Sequence, residues 1–320
     1  MPTSYPWADA AWQDIAMLGL AVGLDLVLGE PPRALHPVVW MGRVIGAVER
    51  VGLSRGRVLA LVMGLLVALV VPLAFGGAAA LLMLGLREVG TVAYILGGAV
   101  ALKTTFSVRD LGRAATRVRR SLEGEDMVAA GAGLASLVSR EVAGLTTPQM
   151  ASAAVESVAE NAPDSFLAPW LAFALLGVPG AVAYRAVNTL DAMIGYHGRY
   201  EWFGKASARL DDLLNLAPAR MAGLLVVVAG AIGGFPAARA WRVMWREHGR
   251  TESPNAGWPM SAMAGVLGVQ LEKVGHYQLG DGFAPPGAPH LRAAVRVVYG
   301  VAVIGVALSL GLIWARSLVW

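Results

Sequence analysis

The sequence contains no cysteine, and only 15% of its 320 residues are charged, whereas 56% are hydrophobic. Without a thiol, the chain has no cysteine nucleophile, no thiolate metal ligand and no disulfide scaffold. A soluble domain carries roughly a quarter charged residues. The shortage of charge therefore argues against a soluble nucleic-acid-binding protein and against a disordered tail protein.

Familiar metal and nucleotide motifs are also missing. The five histidines form no His-x3-His and no His-Glu-x2-His pattern, so we expect no zinc site. No phosphate-binding loop of the Gly-x4-Gly-Lys-Ser/Thr type, no Gly-x-Gly-x2-Gly fingerprint and no Gly-x-Ser-x-Gly elbow occurs. A nucleotide would therefore have to bind through another arrangement of carboxylates, a metal ion and arginines.

Long uncharged runs dominate the sequence that is present. Val58–Leu86 contains 29 residues without a charge, and Met221–Ala238 and Val297–Ala315 are uncharged over 18 and 19 residues. A helix needs about 20 predominantly apolar residues to cross a bilayer. These lengths predict an integral membrane protein.

We therefore predict an all-α, polytopic helical integral membrane protein with about four to six spans, at least one broken or re-entrant segment and large cytoplasmic helical loops. Residues 1–320 are expected to form a single integral membrane domain. The predicted spans lie near residues 12–29, 58–86, 89–102, 165–184, 221–238 and 297–315, and the predicted polar loops cover 30–57, 103–164, 185–220 and 239–296.

Prolines and glycines interrupt two of these spans. One straight helix over 58–86 would be about 44 Å long, against a hydrocarbon core of about 30 Å. Pro72 and Gly76-Gly77 suggest a kink or a hairpin instead. Pro169 and the stretch Gly177-Val-Pro-Gly180 favour a broken or re-entrant segment within 165–184, because irregular backbone is tolerated where protein or a cavity covers it.

The positive charge has an ordinary explanation in a membrane protein. The formal net charge is +4, and basic residues favour the anionic cytoplasmic surface. One basic segment has helical periodicity, with arginines on the side opposite the apolar positions Leu111, Ala115, Val118 and Leu122. It predicts an amphipathic helix at a surface.

The densest acidic cluster is expected at the start of the 165–184 span. Glu156 and Glu160 are four residues apart and share a helix face, and Pro163 is expected to break the helix and present Asp164 at the start of a new apolar half-helix. These carboxylates beside Asn161 have the chemistry of a Mg²⁺ site, and a helix N-terminus nearby would favour an anion. The alternative is a solvated helix end capped by Asp164.

Two further clusters combine amides, carboxylates and arginines, and a third is a turn-rich loop that contains Asn255. Arg185, Asn188 and Asp191 project from one side of a helix, and Arg209 with Asp211 and Asp212 repeats the theme. An Arg209–Asp212 ion pair is the alternative to a binding role. The loop around Asn255 is either a binding loop or a β-turn with an Asx cap.

At these clusters the sequence resembles the adenosylcobinamide-phosphate synthase family of cobalamin biosynthesis. The resemblance is dispersed over nearly the whole chain, and five or more motifs occur in order. They are Asp25–Pro32 with His36-Pro37 and Gly42-Arg43; Val155–Asn161 with Asp164; Tyr184–Asp191 with Met193–Tyr196; Arg199-Tyr200 and Phe203-Gly204; Ala208–Asp212 and Pro218–Arg220; Ser253–Gly257 and Ala262–Gly265. The chain departs from the common family pattern at Ser139–Val142, at Ala162-Pro163 and Ser165, and at Met260.

This resemblance implies ATP-dependent formation of an amide between a propionate carboxylate of adenosylcobyric acid and (R)-1-aminopropan-2-ol or its O-phosphate. The corrinoid is then a substrate, ATP and Mg²⁺ are required, and zinc is not. We expect a multi-pass protein of the bacterial cytoplasmic (inner) membrane, with its active site facing the cytoplasm. Its expected partners are the two substrates, the lipid bilayer and other membrane-bound cobalamin enzymes, and not nucleic acid.

The expected roles follow the same resemblance. Glu156, Glu160 and Asp164 are assigned to the metal or to a catalytic base. Residues expected to bind or orient substrate are His36, Arg43, Asn161, Arg185, Asn188, Asp191, Arg209, Asp211, Asp212 and Asn255.

Two other readings compete with this one. A CDP-alcohol phosphotransferase also uses acids and arginines at the membrane, but its ordered pattern Asp-x2-Asp-Gly-x2-Ala-Arg, followed by Gly-x3-Asp-x3-Asp, does not occur here. A corrinoid transporter or a scaffold for late cobalamin enzymes is the non-enzymatic alternative.

Overall fold

A computed structural model describes residues 6–52, 56–138 and 141–318. Within them the chain is almost entirely helical, with a single two-stranded antiparallel hairpin. The α-helices are α1 (Pro6–Leu28), α2 (Pro37–Gly52), α3 (Arg57–Val89), α4 (Thr91–Lys103), α5 (Val108–Glu123), α6 (Met127–Leu134), α7 (Thr147–Ala162), α8 (Ala168–Ile194), α9 (Lys205–Leu214), α10 (Leu216–Ile232), α11 (Ala237–Glu247), α12 (Gly257–Leu267) and α13 (Ala288–Ser317), and the strands are β1 (Leu271–Lys273) and β2 (Tyr277–Leu279).

The all-α membrane architecture is confirmed. Among the described residues, five helical segments are long and apolar enough to cross a membrane, and the bent pair α9 and α10 raises the number to six. These segments are Ala11–Leu28, Arg57–Val89, Thr91–Glu123, Thr147–Ile194 and Ala288–Ser317. Many large apolar side chains of α3 and α4 are exposed, as expected of a surface that faces lipid.

Two expectations from the sequence are corrected, one about a hairpin and one about a helix end. Residues 57–89 form one uninterrupted helix that contains Pro72, so the hairpin is not formed. The run 221–238 is not one helix, because α10 ends at Ile232 and Gly233-Gly234 turns the chain before α11 begins at Ala237. An uncharged run therefore marked apolar character correctly but not where the helix ends.

The break in residues 165–184 is confirmed, at Gly177. This glycine has φ 70° and ψ −167°, values outside the helical region, and the chain is helical on both sides of it. Pro169 lies within continuous helical structure near the start of α8 and does not break it. Pro163 was also expected to break the chain, but it begins a π-helical turn, Pro163–Leu167, that runs on into α8.

The chain forms two compact units. Unit 1 comprises residues 1–107, 168–214 and 306–320, and unit 2 comprises residues 108–167 and 215–305. In unit 1, α3 packs against α4, α8 and α9, and α1 packs against α4. The single membrane domain expected from the sequence stays a prediction.

Unit 2 is built around α7 and α12, in which nearly every side chain is buried. The predicted amphipathic helix is confirmed as α5: Leu111, Ala115, Val118 and Leu122 are buried, and the helix packs against α6 and α7. The apolar face thus meets protein. The arginines at 113, 117 and 120 on its other side are exposed.

A buried lysine connects the ends of two helices in unit 1. The Nζ of Lys103, at the end of α4, lies 3.1 Å from a carboxylate oxygen of Asp25 in α1 and 2.8 Å from one of Glu30. The side chains of Lys103 and Asp25 are 6% and 0% exposed. His36 completes the network, with its Nε2 2.5 Å from the second Glu30 oxygen. We call these four residues the Lys103 network.

The network also sets the ionisation of Glu30. Burial raises the pKa of the Glu30 carboxyl, but hydrogen bonds from His36 and Lys103 and the positive charge of Lys103 outweigh it and lower the pKa to about 2, from 4.5. Glu30 is therefore held as a carboxylate at every pH at which the protein is expected to work.

Replacing Lys103 by methionine should strongly destabilise the protein. Removing one partner of a buried ion pair typically costs about 3–5 kcal/mol, because the remaining charges stay buried without compensation. Thermal unfolding of the detergent-solubilised protein measures the effect. Arg199→Met is the control, since its pair with Glu49 is 3.6 Å long and the Arg199 side chain is 71% exposed, so a loss below about 1 kcal/mol is expected. Equal stability of the two variants would refute the role of the network.

The stabilising effect of Glu30 should disappear in acid. Because its pKa is lower in the folded protein than the ordinary value of 4.5, its contribution is complete above about pH 4.5 and is lost as the pH falls towards 2. The unfolding free energies of wild type and Glu30→Gln should therefore differ at pH 7 and converge near pH 2. A difference that is unchanged between these two pH values would contradict the assignment.

Candidate functional site

The candidate residues fall into two sets, one in each unit. The unit 2 set is Glu156, Glu160, Asn161, Asp164 and Asn255. The unit 1 set is His36, Arg43, Arg185, Asn188, Asp191, Arg209, Asp211 and Asp212.

Glu156 is buried beneath the β-hairpin of unit 2. Its two carboxylate oxygens accept hydrogen bonds from the hydroxyl groups of Ser152, at 2.7 Å, and Tyr277, at 2.8 Å. The same Ser152 oxygen accepts the backbone N–H of Glu272 at 2.8 Å. Glu156 is 3% exposed, so the first observed role of this carboxylate is to attach the hairpin to α7.

Glu160 lies one helical turn later and is exposed. The four-residue spacing thus places both carboxylates on α7, as predicted, but in opposite environments. Asn161 bonds back to its own helix, donating from Nδ2 to the backbone oxygen of Ser157 at 2.8 Å and to its hydroxyl at 3.1 Å. Asp164, half-buried, lies in the π-helical turn. Single π turns inside helices are frequent at functional sites.

The acidic residues of unit 2 do not form a metal cage. Among the described residues, no three His, Asp or Glu side chains lie together in a way that holds a metal ion. Glu156, Glu160 and Asp164 therefore do not fit the three-carboxylate ligand set that the sequence suggested. Mg²⁺ often takes only one or two carboxylates and completes its shell with water and substrate phosphates.

The Asn255 loop contains a turn that the Ser253 hydroxyl stabilises, and α12 has no side-chain cap, so the predicted Asx cap is not formed; a binding role for the loop stays a prediction. The Ser253 hydroxyl accepts the backbone N–H groups of Asn255 and Ala256 at 3.2 and 3.3 Å, and α12 begins at Gly257. The Asn255 side chain is 7% exposed. Met260, where the chain departs from the pattern of the family it resembles, is fully buried in α12, so this position offers no polar group here.

In unit 1, α2 packs against α8 and brings two of the sequence motifs together. The sulfur of Met41 lies 4.0 Å from the Thr189 hydroxyl, and Arg43, which follows in α2, is exposed. Arg185 donates from its Nη1 to the Asn188 side-chain oxygen at 3.1 Å. The buried Nε of Arg185 has no hydrogen-bond partner among the described residues. The cation and the amide of this motif are therefore adjacent, with donor capacity to spare.

The acids of α8 and α9 are also close in space. Asp191 and Asp212 interact electrostatically as like charges. A side chain at Gly195 would place its Cβ 2.0 Å from the Asp191 Oδ1, so the glycine is required for the position of this carboxylate. Arg209 forms the predicted ion pair with Asp212, at 3.8 Å, and Asp211 is buried.

The loop between α8 and α9 is attached to α2. The Tyr200 hydroxyl donates a 2.7 Å hydrogen bond to the Glu49 carboxylate. This bond raises the pKa of Tyr200, because the phenol must keep its proton to donate it. The link fixes the start of the segment that leads to Asp211 and Asp212.

Sequence reasoning did not identify several of the observed polar contacts. In the sequence, Lys103 is noticeable only as the residue that ends an apolar run. An ionisable residue next to a predicted span is nevertheless a reason to expect a special role. Tyr277, the first residue of β2, belongs to no sequence motif and lies within the predicted polar loop 239–296. Arg220 carried the resemblance without a role. Its guanidinium lies 5.1 Å from the ring centroid of Trp258, the residue that follows the Ser253–Gly257 motif.

Comparison with known proteins identifies the family. The family described as CobD/Cbib protein matches residues 18–298. The cobalamin biosynthesis protein CobD of Dehalococcoides mccartyi (strain CBDB1) is 43% identical over 295 residues, which cover 92% of this chain and 96% of the relative. The cobalamin biosynthesis protein CobD of Rhodobacter capsulatus is 37% identical over 320 residues, which cover 94% and 99%.

A third relative, the cobalamin biosynthesis protein CobD of Geobacter metallireducens, is 40% identical over 294 residues, which cover 89% of this chain and 92% of the relative. No solved structure matches the chain. Because the family match and the relatives all cover most of the sequence, the protein belongs to the CobD/Cbib family and has a role in cobalamin biosynthesis.

Proposed function

We propose that the protein is an adenosylcobinamide-phosphate synthase. It joins (R)-1-aminopropan-2-ol O-phosphate, or free aminopropanol, to the propionate carboxylate of adenosylcobyric acid, with ATP as the energy source. The observation that carries this proposal is the family match over residues 18–298, with relatives named for cobalamin biosynthesis. The exposed carboxylates and arginines of the two sets are chemically suited to this reaction.

The reaction needs activation, because a carboxylate does not react with an amine near neutral pH. Transfer of the γ-phosphoryl group of ATP to the propionate gives an acyl phosphate and ADP. The amine then attacks the acyl carbon, the amide bond forms and phosphate leaves. Such chemistry calls for a base that takes the ammonium proton and for cations that stabilise the phosphate oxygens.

In unit 2, the accessible carboxylates take the chemical role. Glu160 is exposed and Asp164 is half-buried, so either can accept a proton from an amine. Glu156, whose oxygens accept the Ser152 and Tyr277 hydroxyl hydrogens, is proposed to position α7 and the hairpin. Asn161 and Asn255 are proposed to orient substrate through the helix end and the loop that hold them.

In unit 1, the cations are proposed to recognise phosphate or corrin carboxylates. Arg43 is exposed on α2, and Arg185 has an unpaired buried Nε. A third cation, Arg209, is 75% exposed. The polar residues proposed to orient substrate are His36, Asn188, Asp191, Asp211 and Asp212.

Mg²⁺ is proposed to arrive with ATP as its counter-ion. The described residues offer no three-carboxylate cage, so water and phosphate oxygens would supply most ligands. We place the protein in the bacterial cytoplasmic membrane with its active site facing the cytoplasm, where ATP is available. Neighbouring membrane-bound cobalamin enzymes are the proposed recipients of the product.

The purified protein should form an amide from adenosylcobyric acid, ATP and Mg²⁺. Aminopropanol and its phosphate are supplied in separate reactions, and mass spectrometry of the corrinoid identifies the amine that is used. Omission of ATP is the control and should abolish the product. If neither amine gives a product in folded protein that binds corrinoid, the ligase proposal is wrong and transport becomes the leading function.

Glu160→Gln should lower turnover at least about 100-fold, the range typical of losing a general base. The substitution is nearly isosteric and the side chain is exposed, so folding should be unchanged. Glu125→Gln, at another exposed glutamate of unit 2, is the matched control and should keep wild-type turnover. Turnover of Glu160→Gln within a few-fold of wild type would remove Glu160 from the mechanism.

Gly195→Ala tests the Asp191 group in unit 1. The added methyl would lie 2.0 Å from the Asp191 Oδ1 and 2.6 Å from its backbone oxygen, so the carboxylate must move. We expect kcat/KM to fall at least about tenfold, as displacement of a positioning group does. The control is Gly77→Ala, because no heavy atom lies within 4 Å of that Cβ. Equal kcat/KM values for both variants would show that Asp191 has no role in the site.

A further inference from the structure

Unit 2 exposes an aromatic surface that the roles above do not use. Two tryptophans of α11, Trp241 and Trp245, are 45% and 60% exposed. Their rings stack with centroids 5.8 Å apart and planes 11° apart. A contiguous patch of large exposed apolar rings is typical of an interaction site, whereas hydrophobic residues that are exposed singly are ordinary.

A second layer of rings and a cation lie beside Trp245. Trp258 meets Trp245 edge-on, with centroids 5.9 Å apart, and the His248 ring stacks on Trp258 at 3.8 Å. The Arg220 guanidinium lies 5.1 Å from the Trp258 centroid. We call Arg220, Trp245, His248 and Trp258 the aromatic platform.

The frame beneath the platform is fixed by buried contacts. Glu247, between Trp245 and His248 in the chain, is fully buried and accepts the backbone N–H of Gly280 at 2.6 Å. A Cβ at Gly257 would lie 1.9 Å from the His248 backbone oxygen, so the start of α12 fits closely against His248. A rigid site loses little conformational entropy on binding.

Arginines lie around the platform, and one of them, Arg246, is ion-paired with the buried Glu247. Arg220 lies over Trp258, and Arg242 and Arg246 are exposed on α11. The buried Nε1–H of Trp258 has no hydrogen-bond acceptor among the described residues. Unsatisfied buried donors of this kind are uncommon in folded proteins.

We propose that the aromatic platform binds an adenine ring, which stacks on Trp245 while Arg220 faces the polar groups attached to the base. Purine rings stack on the faces of indole rings, and an arginine beside the stack stabilises the anionic groups of the ligand. The identity of the ring rests on the proposed function, in which two reactants carry adenine: ATP, and the adenosyl group of the corrinoid.

Tryptophan and arginine also anchor proteins at membrane interfaces. The arrangement here favours a ligand with an aromatic ring, because the Arg220 guanidinium and the His248 imidazole both lie against the Trp258 indole. Residues that anchor a protein in a membrane are instead distributed along a belt at the interface. Lipid contact by Trp245 is therefore treated as an outcome that opposes the proposal.

Trp245→Ala should weaken adenine binding by the full-length solubilised protein about 5- to 100-fold, the range for losing one base–aromatic stack. Calorimetry compares a non-hydrolysable ATP analogue with tripolyphosphate, and adenosylcobyric acid with dicyanocobyric acid, which lacks the adenosyl group. Trp245→Phe should restore most of the affinity and shows that the alanine effect is lost stacking. Trp314→Ala removes a side chain that is equally 60% exposed and should leave every affinity unchanged.

Weaker binding of the ATP analogue but not of tripolyphosphate assigns the platform to ATP. Weaker binding of adenosylcobyric acid but not of dicyanocobyric acid assigns it to the adenosyl group. Unchanged affinities, equal losses for both members of a pair, or quenching of Trp245 fluorescence by spin-labelled lipid would overturn the proposal. These binding measurements need no turnover, so they still test the platform if the amide assay fails. A positive amide assay, in turn, would not support the platform if the affinities were unchanged.

Discussion

Burial of the Lys103 ammonium without Asp25 and Glu30 would cost free energy. The structure of unit 1 around Lys103 therefore depends on keeping both carboxylates beside it. The lysine ends α4, Asp25 lies in the last turn of α1 and Glu30 follows that helix. The ion pairs therefore fix the ends of two helices that otherwise pack through apolar side chains. Apolar packing is tolerant of sliding and rotation in a bilayer, because lipid is as apolar as the side chains. A buried charge pair is not tolerant, since small shifts leave a charge without a partner. The network also places His36 beside the start of α2, the helix that carries Arg43.

Unit 2 also uses buried carboxylates as anchors, but these carboxylates hold loops and the hairpin instead of membrane-spanning helices. Glu156 connects α7 to the hairpin through Tyr277, and Glu247 connects α11 to the turn at Gly280. Both carboxylates are almost completely covered. The segments they hold have little apolar surface of their own, because β1 and β2 contain only three residues each. Charge-assisted hydrogen bonds, which are short and directional, therefore add to the packing of Leu271 and Leu279, the fully buried side chains of the two strands.

Composition and periodicity were sufficient to predict the helical membrane class, the face of α5 and the break near Gly177, because each depends on local chemistry. Helix ends and long-range contacts were less accessible. Pro72 remains inside α3 and Pro163 begins a π turn, since neighbouring packing can override the local cost of a proline. The same limit applies to the site. The Arg209–Asp212 pair is three residues apart and was predictable, whereas the contacts of Lys103 with Glu30 and of Glu156 with Tyr277 join residues 73 and 121 positions apart and leave no periodic signal.

Glu156 and Glu160 belong to one motif, but their surroundings suit them to different tasks, one structural and one chemical. The two residues are one helical turn apart, yet one accepts two hydroxyl hydrogens under the hairpin and the other is open to solvent. A base must exchange protons with its substrate, and a carboxylate that is fixed and covered is poorly suited to do so. A fixed carboxylate is well suited to hold its neighbour still. The π turn that follows lets Asp164 remain half-exposed while Phe166 and Leu167 are buried. The motif thus combines an anchor, an accessible acid and a local change of helical pitch, and the proposed base role of Glu160 or Asp164 rests on that combination.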